Sequence, residues 1–185
     1  MMEEEKRLLR LLKDLSYEEG DFLLASGKRS TFYIDCKETT LNPEGMYLTG
    51  HLMFKRVLEM PDVEAVGGVS IGGDPLVCST ALASYAFRQP LPAFFIRKEP
   101  KGHGKNLYIE GAKNLRKGMT VVILEDVVTT GGSSLKAIEV TEQEGFKVKG
   151  VIALLDRLDG GKEAITSKGY HFESMFTLND LKQLV

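Results

Sequence analysis

Two apolar runs limit what this chain can fold into: "VVIL" at 121–124 and "VIALL" at 151–155. Each is short and unbroken by polar residues, the pattern of a strand covered on both faces. Such strands need helices above and below, and the stretches between them supply helical signals. A helix is expected from Pro75 with Asp74 as its cap, another over 133–145, and a third over 162–168. Further strands are expected at Val63–Ser70, Pro92–Ile96, Leu107–Ile109, Met119–Leu124, Val148–Leu155 and Tyr170–Phe176. Alternation of this kind gives an α/β fold with a central, mostly parallel sheet flanked by helices.

The beginning of the chain breaks that rhythm. Residues 3–15 place Leu8, Leu9, Leu11, Leu12 and Leu15 on one helical face. Strands are expected at 21–25 and 31–36, joined by the polar turn Ser26–Ser30, before a helix capped by Asn42 with Pro43 at its first position, running to about Glu59. We expect one domain over 1–185, with residues 1–40 contributing a small hood above the sheet. A net charge of −2 speaks against nucleic-acid or membrane partners. The acidic, amphipathic start is not a signal peptide, and the expected location is the cytoplasm, where Cys36 and Cys78 stay reduced thiols.

In open parallel sheets, ligands sit beyond the carboxyl ends of the strands. The sharpest signal there is "VVILEDVVTTGGSS" at 121–134. Thr129, Thr130, Gly131, Gly132, Ser133 and Ser134 open a helix, whose free N–H groups and positive dipole end suit a phosphate. Glu125 and Asp126 would repel that phosphate, so they must serve another part of the ligand, as acceptors for sugar hydroxyls or facing a hydrated Mg²⁺. Acid pair and anion cradle together point to a sugar phosphate. The stretch has neither a Walker P-loop nor a G-x-G-x-x-G pattern. It resembles the phosphoribosyl pyrophosphate (PRPP) signature of type I phosphoribosyltransferases. The resemblance implies that Glu125 and Asp126 hold the ribose hydroxyls, that residues 129–133 wrap the 5-phosphate, and that Val127 and Val128 also belong to the PRPP-binding stretch.

A second strand end carries "RKEPKGHGKNLYIEG" from Arg97, a cationic loop with glycines and a proline. Cations there would favour a leaving group that gains charge as its bond breaks, and a closing loop would exclude water. The order R-K-x-x-K-x-H-G resembles the catalytic loop of the orotate phosphoribosyltransferase family. This implies that Arg97, Lys98, Lys101 and His103 contact the pyrophosphate, with Lys101, His103 and Asp126 as catalytic residues. It also implies a homodimer in which the loop reaches over the neighbouring site, and Mg²⁺ bound mainly through PRPP without direct protein ligands.

The third strand end reads "GGVSIGGDP" and contains a formal G-x-S-x-G at 68–72. A serine hydrolase using Ser70, with Asp126 or Asp156 and His171, is therefore a distant alternative. The other reading is a Gly-rich loop that touches pyrophosphate, with Asp74 capping the helix and reaching Mg²⁺ only indirectly.

The acceptor is argued from two further places. "VIALLDRLDGG" ends its strand in Asp156-Arg157, and a guanidinium there suits a carboxylate-bearing base such as orotate. "SGKRSTFYIDC" resembles the same family's hood, which implies orotate contacts from Arg29, with Lys28 as the alternative, and from Tyr33 and Ile34. Thr129 and Arg157 complete that implied set. A phosphoribosyltransferase for uracil or a purine is the nearer alternative.

Overall fold

The structure is a computed structural model that describes residues 1–23, 27, 29–99 and 108–184. Helix α1 (Glu3–Leu11) runs through a π-helical turn at Leu12–Ser16 into a hairpin of β1 (Tyr17–Leu23) and β2 (Arg29–Ile34). Helices α2 (Lys37–Thr40) and α3 (Pro43–Leu58) follow. The main body is then β3 (Ala65–Val69), α4 (Gly73–Ala86), β4 (Ala93–Ile96), β5 (Ile109–Glu110), β6 (Thr120–Val128), α5 (Gly132–Gln143), β7 (Lys147–Asp156), α6 (Gly161–Thr166), β8 (His171–Thr177) and α7 (Leu178–Gln183).

The main sheet has six strands in the order β5-β4-β3-β6-β7-β8. All neighbours pair parallel except β5, which lies antiparallel on β4 at the edge. From β3 the chain moves outward one way to β4, and from β6 the other way to β7. The carboxyl ends of β3 and β6 therefore border the crevice where ligands collect in such sheets.

Side chains alternate across the sheet as a period of two requires. Val122 and Leu124 enter one core with Leu8 and Leu9 of α1, Leu12 of the π-helical turn, Leu48 and Leu52 of α3, Leu76 and Val77 of α4, and Leu178 and Leu181 of α7. Val121 and Ile123 enter the other with Ala137 and Ile138 of α5 and Ile165 of α6. All four residues of "VVIL" are fully buried, each stabilising the fold by about 1.5–3 kcal/mol. Among the described residues no helix is long and apolar enough to cross a membrane.

Several elements differ from the sequence expectation. The first helix ends at Leu11, and the wider turn after it carries Leu15 outward to 40% exposure, off the apolar face. Only the β1–β2 hairpin forms a separate small sheet. Helix α1 buries its leucines in the main core and is tied to α3 by Lys55–Glu4 at 2.7 Å and Arg56–Glu5 at 3.0 Å. The hairpin strands begin earlier than expected because the buried Tyr17 ring stacks on Phe32 at 6.0 Å, while the polar run Glu18–Asp21 hides the strand pattern. Helix α4 starts at Gly73 without a side-chain cap, so Asp74 is not its cap: its Oδ1 accepts from Ser70 Oγ at 2.8 Å. Helix α7 lies beyond the expected elements, and Thr177 and Asp180 form a capping box at its start.

Candidate functional site

Strand β6 does not stop where its polar residues begin. It runs through Glu125 and Asp126 to Val128, held by β7 along most of its length. Successive strand residues face opposite ways. Glu125 turns toward α5, where Ser134 Oγ donates to its Oε2 at 3.3 Å. Asp126 turns toward the loop between β3 and α4, and its carboxylate lies so close to Gly72 that any side chain there would collide with it. Val127 N–H donates to Asp126 Oδ1 at 2.9 Å.

Burial governs the charge of both acids. Glu125 is only 7% exposed, and burial followed by the neighbouring Asp126 charge pushes its carboxyl up to about 8, against weaker pulls from Ser134 and Lys98. Asp126 is also raised by burial, and there the Val127 N–H and the Lys37 charge oppose the rise.

The anion cradle follows directly. Gly131 takes φ 80, a left-handed turn that a glycine adopts without strain, and α5 begins at Gly132 with no acidic residue in its first turn. Thr130, Gly132 and Ser133 are exposed, so the helix N-terminus is open. Gly161 backs the loop: a Cβ on it would lie 2.5 Å from Thr129 O and 3.1 Å from Gly131 N.

A cleft of about 310 Å³ joins these parts. Glu125, Asp126 and Ser133 line it together with the Ser70–Gly72 loop, Lys37 and Lys98. A second cleft of about 270 Å³ extends past Arg97 and Lys98 to Lys136 on α5. Arg97 is paired with Glu110 at 3.1 Å, and its backbone N–H donates to Tyr108 O at 2.8 Å. Lys101 and His103, expected at the chemistry, lie outside the described residues, as does Lys28. Among the described residues no three His, Cys, Asp or Glu side chains group to hold a metal. The cleft's oxygen donors and its lysines suit a cation that arrives with a phosphate ligand.

Apart from Thr129, which lies beside it, the expected acceptor residues stand away from the lining of this cleft. Arg157 follows β7, its backbone N–H donating to Val128 O at 2.9 Å. Its guanidinium lies 5.1 Å over the Phe32 ring, and Lys182 of α7 lies 4.9 Å over that same ring. Arg157 Nε is 3.3 Å from Asp159 Oδ2, yet it is buried without a properly aligned hydrogen bond. Asp156 is buried and accepts from Leu158 N–H at 2.8 Å. Tyr33 and Ile34 point to opposite faces of β2. Tyr33 is 45% exposed and its ring packs at a tilt against Phe22, whereas Ile34 packs against the core. Arg29 is exposed and pairs with Asp21 across the hairpin.

The structure thus gathers Glu125, Asp126, Lys98 and Ser133 in one cleft, with Thr129–Gly132 beside it, and leaves Arg29, Tyr33, Ile34 and Arg157 off its lining. Lys37 was missed, since a lone lysine after a strand carries no motif. Phe32 and Lys182 were missed as partners of Arg157, because nothing local links three distant positions. The hydrolase alternative loses its geometry: Ser70 follows the carboxyl end of β3, whereas His171 opens β8 opposite Gly150 at the other end of the sheet and is 51% exposed. Among the described residues no histidine reaches Ser70.

Comparison with known proteins agrees with this geometry. Residues 68–174 match the phosphoribosyl transferase domain. The chain is 48% identical over 177 residues to the orotate phosphoribosyltransferase of Sorangium cellulosum, covering 96% of this chain and 92% of that one. It is 43% identical to that of Aquifex aeolicus, covering 98% and 99%. The fold superposes with a TM-score of 0.80 and 31% identity on the Mycobacterium tuberculosis orotate phosphoribosyltransferase solved with 5-phospho-alpha-D-ribosyl 1-diphosphate, covering 97% and 99%. With its acid pair, anion cradle and glycine loop on the carboxyl edge of one parallel sheet, this chain belongs to the phosphoribosyl transferase domain family and, within it, to the orotate phosphoribosyltransferases.

Proposed function

We propose that the protein transfers ribose 5-phosphate from PRPP to orotate, forming orotidine 5'-monophosphate and pyrophosphate. The observation that carries this reading is one cleft of mixed character, with two carboxylates, an open helix N-terminus beside them and a glycine loop with lysines opposite. A ligand with phosphate, hydroxyls and diphosphate at fixed separations matches all three.

In this reading the backbone of 129–133 and the N-terminus of α5 take the 5-phosphate. Asp126 and Glu125 accept hydrogen bonds from the ribose hydroxyls. The bond between ribose C1 and the diphosphate oxygen breaks as the orotate ring nitrogen attacks C1, and the electron pair leaves with pyrophosphate. Positive charge grows on the ribose in the transition state, so the nearby Asp126 carboxylate stabilises that state more than the ground state. Arg97 and Lys98, with Lys101 and His103 from the same loop, counter the charge on the departing diphosphate. Mg²⁺, bound through PRPP, supplies further neutralisation of those oxygens when present. Arg157 and Thr129 take orotate. Phe32 supports the Arg157 guanidinium, whose buried Nε lacks a hydrogen bond. We place the reaction in the cytoplasm and assign a homodimer in which each 97–111 loop serves the neighbouring site. Exposed Tyr47 and Leu82, beside an apolar groove between α3 and α4, support a second copy as the cover.

The test is pyrophosphate release from PRPP and Mg²⁺ with orotate, uracil, adenine or guanine as acceptor. Release with orotate alone is expected. Release with another base and none with orotate would overturn the substrate.

A further inference from the structure

One charged residue on the donor cleft belongs to neither the acid-pair signature nor the cationic loop. Lys37 opens α2, immediately after the hairpin. Its ammonium donates to Asp35 Oδ1 at 2.6 Å, and its own backbone N–H donates to that oxygen at 3.0 Å. These bonds to a single oxygen fix both ends of the residue. Its side chain stays 38% exposed and lines the cleft with Glu125, Asp126 and the Ser70–Gly72 loop.

The cleft needs such a cation. Glu125 and Asp126 are adjacent acids with little water around them, and keeping Asp126 ionised there is costly without a counter-charge. Ser134 and Lys98 act on Glu125. Asp126 faces a different set: Lys37, Asp35 and Cys36 from the segment after β2, uncharged Gly72 from the opposite loop, and Glu125 on its own strand. Within that set Lys37 is the cation. Asp35 raises the Asp126 carboxyl, Lys37 lowers it, and the Cys36 thiol is itself pushed up by burial.

We infer that Lys37 is a positioning residue of the donor site: tethered by Asp35, it is the counter-cation that keeps Asp126 a carboxylate aimed at the ribose. The inference rests on the donor reading of the acid pair. It also gives the short α2 turn a task in the reaction, because that turn brings a charge from the hood segment to the floor of the sheet.

The test compares Lys37→Met, Lys37→Gln and Lys37→Arg in the full chain, measuring kcat/KM for PRPP from acid to alkaline pH. Lys37→Met is expected to lower kcat/KM for PRPP about 10-fold near neutrality, the scale of one lost charge contact. Removing Lys37 lets the Asp126 carboxyl rise further, so the acid limb of the profile moves to higher pH. KM for orotate stays within about 2-fold, and Lys37→Arg recovers most of the loss. A lower rate with an unmoved acid limb, or an arginine variant no better than methionine, overturns the inference. Should Lys37→Met fail to give a cooperative melt, Lys37→Gln carries the same comparison. The native protein assayed alongside separates the two levels. Its failure to release pyrophosphate with orotate overturns the functional reading, whereas a working native enzyme with an unmoved methionine profile overturns Lys37 alone.

Discussion

The proposed donor floor and the proposed acceptor wall are built in opposite ways. The floor is contiguous: β6, its loop and α5 bring acids, hydroxyls and helix N-terminus together within residues 120–143, mostly on buried, sheet-paired backbone. The wall is assembled from separated pieces, with Phe32 on the hairpin, Arg157 after β7 and Lys182 on α7 meeting through side chains alone. Backbone-held groups keep their geometry when one side chain changes, but they suffer when the backbone must shift. Groups held by side chains lose geometry locally and by smaller amounts.

The largest effect should come from the floor. Asp126→Asn is expected to lower kcat/KM for PRPP about 100-fold, the scale of losing a preorganised charge at the reacting centre. Glu125→Gln should cost clearly less at pH 7, since Glu125, raised to about 8, is already mostly protonated there. Equal losses in the two variants would erase the distinction between the acids.

Gly131→Ala tests whether the cradle is a backbone device. Its φ of 80 costs alanine about 1–2 kcal/mol, and the new Cβ would lie 3.1 Å from Gly161 O. KM for PRPP should rise about 10-fold with KM for orotate little changed. A change confined to orotate would move the loop's role to the acceptor.

The pH dependence of stability sharpens the contrast further. A buried carboxyl raised from 4.5 to about 8 binds its proton more tightly when folded, so its contribution is present below pH 4.5 and is lost as pH rises toward 8. Glu125→Gln should therefore melt higher than the native protein at pH 9, by a few kcal/mol at most, and nearly with it at pH 4. Melting curves showing the same difference at both pH values would remove burial as the cause.

The smallest effect belongs to the wall. Phe32→Leu removes a ring contact of about 0.5–1 kcal/mol to the Arg157 guanidinium, so KM for orotate should rise a few-fold while KM for PRPP stays put. A matching rise in KM for PRPP would show that hood and floor act as one unit.

Legibility from sequence follows that division. The strand–helix rhythm and the donor motif could be read because their signals are local: apolar runs, glycines and hydroxyls at fixed spacing. Asn42 as cap of α3 was equally readable, and its side chain accepts from the N–H groups of Glu44 and Gly45. Asp74 as a cap was not sound, because Ser70 offers that carboxylate a nearer partner. That Tyr33 and Ile34 face opposite ways follows from strand periodicity alone.

By itself the sequence determined the parallel sheet and the turn at 129–131 that opens α5, since both depend on residues adjacent in the chain whose backbone preferences and patterning act locally. Only the tertiary structure decided which acid is buried against Ser134, that Lys37 lines one cleft with Asp126, and that one Phe32 ring carries two cations. Those facts depend on desolvation and on Coulomb forces between residues far apart in the chain, and such forces have no value until folding sets the distances.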